Sequence, residues 1–221
     1  MIVGRVINFI GQGFIRLFWK LNCRLSPMYQ ERTCEYPFVL TRLKLKKGKV
    51  ADFGCANSLM ISYLASLGFD VFGVDFKEGD DSKFIHNYPN YSFVRSDICS
   101  LPFENEKFDA SISISTLEHI LSGDKKALEE IVRVTKKDGQ IFISMPYGSG
   151  EINNLYIEAP HKIYNEKLLK NLLDIPGIKI EEAAYFKKRW PVWTKVERQD
   201  VEDVDSRQEV KGVVCLSLIR I

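Results

Sequence analysis

Apolar positions along the chain fall into short runs, and the spacing inside them alternates between strand and helix. Lys49–Phe53 is an apolar run of strand length. Ser58–Leu67 places Met60, Leu64 and Leu67 on one side of a helix, and Gly68 is a natural stop. Val71–Asp75 predicts the next strand, Asp80–Asn87 a short helix, Tyr91–Arg95 a third strand and Asp109–Ser115 a fourth. Lys125–Thr135 is amphipathic at helical spacing, with Asp138-Gly139 as its end, and Gln140–Met145 is a fifth strand. Asn165 caps a helix through Leu173. Ile178–Phe186 and Val213–Ile221 predict two last strands, joined by a long charged connection and able to pair as an antiparallel hairpin at a sheet edge. Strands alternating with helices at this spacing predict an α/β fold. It is a three-layer α-β-α Rossmann-like sheet, mostly parallel, with an antiparallel C-terminal edge strand.

The first 48 residues stand outside this alternation and predict an N-terminal helical cap segment; residues 49–221 form the single main domain. Within 1–21, Asn8, Gln12, Arg16 and Lys20 make a narrow polar stripe on an otherwise apolar helical wheel. Arg5 and Arg16 interrupt the run, so it is a poor membrane span, and no small-residue cleavage site follows it. It suits a helix packed on the domain with one wet edge, or a peripheral helix lying in a membrane interface. The basic run Arg42, Lys44, Lys46, Lys47 and Lys49 reads as a solvated linker.

Composition narrows the function classes. The 221 residues are 45% hydrophobic and 27% charged, as in an ordinary globular protein. A net charge of +2 gives no field that would draw nucleic acid, and no such partner is expected. Five scattered cysteines without a Cys-x-x-Cys pair argue against a disulfide framework or a zinc site and fit buried thiols in the cytoplasm.

The candidate chemistry begins at VADFGCANS, Val50–Ser58, a buried strand running into a small-residue turn. A dinucleotide fingerprint needs a small residue at 59, where this chain has Leu59; a phosphate loop ending in Gly-Lys-Ser/Thr is absent. Gly148-Ser149-Gly150 is not a Gly-x-Ser-x-Gly nucleophile turn. Asp52 and Gly54, then Asp75 in GVDF, Asp97-Ile98 in RSDI, and FDASISISTLEHI (Phe108–Ile120) occur in order at strand ends. In this ordered set the chain resembles the class I S-adenosylmethionine-dependent methyltransferases, from about Lys49 to the C-terminus. It departs from that family's Gly-x-Gly-x-Gly turn at Ala56 and Ser58.

The resemblance implies S-adenosylmethionine as cofactor. It assigns the turn residues Asp52, Gly54, Cys55 and Ala56 to the methionine part, Asp75 with Phe76 to the ribose, Asp97 and Ile98 to the adenine, and Ser113 and Ser115 to the ammonium through backbone carbonyls. It implies methyl transfer to a small molecule or a glycan or lipid-linked acceptor, most simply at oxygen, with a catalytically inactive binding or assembly module as the alternative. A hydroxyl acceptor needs a base at neutral pH. Of three histidines, His86 sits in the short helix after the second strand. His119, at the carboxyl edge of the fourth strand, and His161, in the loop after the fifth, are the candidates. Tyr147, opening that loop, and Glu158, within it, are the candidate substrate contacts. Ser115-Thr116-Leu117-Glu118-His119 lacks the first carboxylate of a Glu-x-x-Glu-His metal motif, so no metal is expected.

Overall fold

The computed structural model describes residues 31–56, 58–76, 88–149, 161–189, 192–205 and 210–221. The expectations for residues 1–21, for Asp80–Asn87 with His86, and for Glu158 lie outside these residues. The described elements run α1 (Arg32–Arg42), β1 (Lys49–Phe53), α2 (Leu59–Ser66), β2 (Asp70–Asp75), β3 (Tyr91–Arg95), β4 (Phe108–Ile114), a 3-10 turn (Leu117–His119), α3 (Asp124–Val134), β5 (Thr135–Pro146), α4 (Glu166–Leu173), β6 (Ile178–Arg189), β7 (Val192–Val196), α5 (Gln199–Glu202) and β8 (Gly212–Arg220).

The strands form one sheet in the order β3-β2-β1-β4-β5-β8-β6-β7. The first five are parallel, and β8, β6 and β7 join by antiparallel pairing. Central strands buried on both faces read as continuous apolar runs, which is why KVADF and QIFISM stood out. One face packs Phe38 and Val39 of α1 with Met60, Ile61 and Leu64 of α2. The other packs Leu128 and Ile131 of α3 with Leu169 and Leu172 of α4. The chain winds outward from β1 through β2 and β3, then restarts on the other side with β4 and β5. The switch point therefore lies between the carboxyl ends of β1 and β4, where open parallel sheets hold ligands.

Three expectations change. Asp138-Gly139 does not end α3. The helix stops at Val134, where extended Thr135 takes its Oγ1 back to the Ile131 carbonyl at 2.6 Å. Asp138, at φ +61°, instead lies in a register shift inside β5. The antiparallel C-terminal strand is present but interior: β8 lies between β5 and β6, and the edge is β7, a strand hidden in the charged connection. The basic run is not a free linker. Arg42 donates to both oxygens of Glu182 at 2.6 and 2.8 Å, and the Lys44 N–H donates to Gln140 Oε1 at 2.7 Å, tying α1 to the sheet. Among the described residues no helix is long and apolar enough to cross a membrane.

Candidate functional site

At the end of β1 the chain turns sharply because Gly54 takes φ +78°, a region open to glycine at little cost. Its N–H donates to the Val74 carbonyl at 2.8 Å, and the Ser58 N–H closes the turn on the Cys55 carbonyl at 2.7 Å. A Cβ at position 54 would stand 2.1 Å from Thr116 Cγ2, so the turn after β1 and the turn after β4 touch through this glycine. Asp75, ending β2, accepts the Ala56 N–H on Oδ2 at 2.9 Å and the Phe76 N–H on Oδ1 at 2.7 Å. That clamp holds Ala56 at φ +33°, a position alanine rarely adopts. Leu59 is exposed, so it does not obstruct helix–strand packing. That contact is made by Met60 and Ile61, and the argument that Leu59 excludes a dinucleotide loses its steric basis.

A cavity of about 190 Å³ lies beside the turn, lined by Asp52, Gly54, Cys55, Ala56, Ser58 and Ile114 together with Arg32 and Tyr36 of α1. Asp52 is buried, and its Oδ2 accepts no hydrogen bond among the described residues. Burial pushes its carboxyl up to about 7. Burial works against the charge of Arg32, but neighbouring Glu35 more than restores it and holds the guanidinium above its ordinary value. Burial also pushes Tyr36 up to about 12.

Glu35 organises the far wall. Fully buried, it pairs with Arg32 and accepts the Ser115 and Ser144 hydroxyls on Oε1, each at 2.7 Å. Arg32 Nη1 also donates to Ser115 Oγ at 2.6 Å. Ser115 adopts φ +46° at the end of β4, with its N–H on the Ser144 carbonyl at 3.1 Å. Ser113 lies deeper and ties β4 to β1 by donating to the Phe53 carbonyl at 3.1 Å.

The 3-10 turn after β4 carries Glu118 and His119. Glu118 is buried, its Oε2 accepts no hydrogen bond among the described residues, and burial pushes its carboxyl up to about 8. Residues 161–164 return along this turn. The Lys162 N–H donates to the Glu118 carbonyl at 2.8 Å, and Lys162 Nζ and Tyr164 Oη both donate to Asp124 Oδ2, at 2.6 and 2.7 Å. This pinning brings buried His161 edge to face with His119, ring centroids 6.0 Å apart.

Asp52, Gly54, Cys55 and Ala56 therefore share one cavity, with Asp75 bonded to its rim at Ala56 and Phe76 bonded to Asp75. Asp97 is exposed after β3 and accepts the Cys99 N–H at 2.8 Å, while Ile98 is buried. Tyr147 stands apart: its side chain lines a different cavity, beneath α4. Among the described residues no cluster of His, Cys, Asp or Glu could hold a metal ion. Sequence reasoning missed Arg32, Glu35, Tyr36, Ser58 and Ser144 and used Glu118 only within a motif. The one available signal was Arg32, Glu35 and Tyr36 at i, i+3 and i+4, a single helical face.

Residues 51–143 match the family model described as a methyltransferase domain. This stretch therefore resembles a methyltransferase domain, and the fold around it is that of S-adenosylmethionine-dependent methyltransferases. A demethylmenaquinone methyltransferase of Paenarthrobacter aurescens is 30% identical over 135 residues, which cover 61% of this chain and 51% of that protein. The chain spans about half the length of the curated relatives it matches first. Among solved structures, a Pyrococcus horikoshii protein shares the fold with a TM-score of 0.62 at 18% identity, covering 90% of this chain and 97% of its own. A Burkholderia thailandensis 1,6-didemethyltoxoflavin-N1-methyltransferase, solved with its substrate and S-adenosylhomocysteine, has a TM-score of 0.59 at 17% identity, covering 78% of this chain and 70% of its own. The family match lies on β1 to β5; α1, which supplies Arg32 and Glu35, falls outside it.

Proposed function

We propose that the chain transfers a methyl group from S-adenosylmethionine to an oxygen atom of a small molecule or of a glycan or lipid-linked acceptor. One observation carries the reading. A buried carboxyl, Asp52, and a guanidinium, Arg32, line the same cavity beside the Gly54 turn. A free amino-acid group needs that pair of opposite charges. The unpartnered Oδ2 of Asp52 suits an ammonium, whose charge would draw the carboxyl back to its ionised form.

When bound, S-adenosylmethionine supplies a methyl group on a sulfonium sulfur that departs as an uncharged thioether. The chain's task is alignment and proton removal. Asp75 already orders the turn and keeps lone pairs for two ribose hydroxyls. Asp97 takes the adenine amino group and Ile98 a face of the ring, and the carbonyls of Ser113 and Ser115 add to the ammonium site. Arg32, aimed by Glu35, takes the carboxylate. On the acceptor side His161 or His119 accepts the hydroxyl proton. Glu118, protonated near neutral pH, donates a hydrogen bond to the acceptor. Relatives named for demethylmenaquinone and for a toxoflavin precursor fit a small-molecule acceptor. Peripheral membrane contact through residues 1–21 belongs to the same reading and is checked by liposome co-sedimentation of the full chain against a chain starting at residue 22.

Titration calorimetry tests the cofactor half. S-adenosylhomocysteine should bind the wild type, and Asp75→Ala should weaken it at least about tenfold. Arg32→Met should weaken S-adenosylhomocysteine but leave methylthioadenosine, which has no amino-acid group, almost unchanged. Failure of the wild type to bind S-adenosylhomocysteine sinks the proposal. The strained Ala56 and the added side chain at Ser58 favour one second reading, a non-catalytic module that has kept the fold. Turnover of labelled methyl groups into an acceptor would exclude it.

A further inference from the structure

On the sheet face opposite α1, a cleft of about 370 Å³ runs between α4 and β6. Leu169 and Leu173 of α4 form one wall, and Ala183 and Tyr185 of β6 the other. None of its lining residues lines the cavity beside Gly54. Its size falls within the range of small-molecule pockets.

Tyr147 lines the cleft and packs edge to face on Tyr185, ring centroids 5.0 Å apart. The residue is fully buried, and its hydroxyl has no hydrogen-bond partner among the described residues. A buried phenol without a partner costs stability that a phenylalanine would not, so the hydroxyl calls for a use. The lining charges of the rim balance, Glu166 and Asp174 against Lys170 and Arg198. Glu166 meets Lys170 at 2.9 Å and Arg198 at 2.8 Å, and Arg198 meets Glu202 at 2.9 Å. These pairs are substantially exposed, and such pairs are cheap to part. A rim that neutralises itself selects against a strongly charged ligand, and the apolar walls with aromatic edges favour a flat ring.

We propose that this cleft is a second ligand site, separate from the cofactor turn, for an uncharged aromatic alcohol or ketone whose oxygen meets the Tyr147 hydroxyl. Entry parts the Glu166–Arg198 pair, and the bound oxygen supplies the phenol's missing partner.

Equilibrium dialysis of the full chain with 2-naphthol tests this. The wild type should bind saturably, and 2-naphthoate should bind less tightly. Tyr147→Phe should weaken 2-naphthol about 3–10-fold, the worth of one hydrogen bond, with Tm unchanged or raised. Ala183→Leu fills the cleft from an exposed position that the fold tolerates, and should abolish 2-naphthol binding while leaving S-adenosylhomocysteine affinity intact. Three results would overturn the proposal: equal 2-naphthol binding by wild type and Ala183→Leu, competition between 2-naphthol and S-adenosylhomocysteine, or a Tm several degrees lower for Tyr147→Phe. Loss of S-adenosylhomocysteine binding by the wild type would strike the cofactor reading alone.

Discussion

The turns after β1 and after β4 lie side by side at the switch point and solve the same problem differently. Each places a residue at positive φ and each has a buried carboxyl beside it. After β1 the conformation comes from an absent side chain, Gly54. After β4 it comes from Ser115, held at φ +46° by hydrogen bonds to Glu35 and Arg32 of a separate helix. The first turn takes its shape from its own glycine; the second leans on α1 for the hydrogen bonds of its Ser115 hydroxyl. Part of the candidate site therefore leans on a segment outside the matched domain.

The largest break should come at Glu35. Glu35→Ala leaves half-buried Arg32 without this carboxylate and removes the acceptor of two serine hydroxyls. It should cost about 3–5 kcal/mol in urea denaturation, as removal of one member of a buried pair does. An equal loss from Gly54→Ala is not expected. There the added Cβ meets Thr116 at 2.1 Å in a left-handed backbone, a cost of about 2–3 kcal/mol if Thr116 shifts. Thr116→Ala in the same chain should recover part of it, and strict additivity of the two changes would break the inferred contact between the turns.

Proton linkage sharpens the comparison next. Asp52 rises from 3.8 to about 7 and Glu118 from 4.5 to about 8, each chiefly through burial. The folded protein therefore keeps protons that the unfolded chain has already released. This contribution is complete below about pH 4 and is lost as pH rises through about 7 to 8. Urea midpoints should carry this downward slope between pH 4 and 8, and Asp52→Asn and Glu118→Gln should each flatten it. A slope unchanged in both variants would remove these carboxyls from the account. The smallest effect belongs to Ala56→Gly, which relieves the φ of +33°. It should stabilise by about 0.5–1 kcal/mol and tighten S-adenosylhomocysteine slightly, by calorimetry.

The same contrast explains what could be read from the sequence. β1 to β5 were legible because buried parallel strands are apolar throughout and the intervening helices are amphipathic. α1 was not. Its inward face carries Arg32 and Glu35, which break the apolar pattern, and Pro37 interrupts the run. β7 was hidden because its five residues, VWTKV, alternate within a charged connection. Asp138-Gly139 misled because the same turn residues serve a bulge as readily as a helix end. Among candidate-site residues, Asp52, Gly54 and Asp75 were legible at strand ends, and the resemblance to a methyltransferase motif set gave them roles. The partners Ser115 and Ser144 needed the fold, because a serine's hydrogen bonds to a distant helix leave no trace in local spacing. Tyr147 shows the same limit: its position after β5 is legible, but the sheet face its ring takes is not.

β8 hydrogen-bonds to β5 on one side and β6 on the other, although β6 precedes it in the chain. During synthesis β6 and β7 leave the ribosome before the strand that must separate them from β5. Until residues 212–220 emerge, β5 presents an open apolar edge, and pairing β6 directly to it would be a trap. In the finished sheet β6 runs parallel to β5 and reaches it solely through β8. A nascent chain stalled before residue 212 should therefore be the aggregation-prone species in the life of this protein.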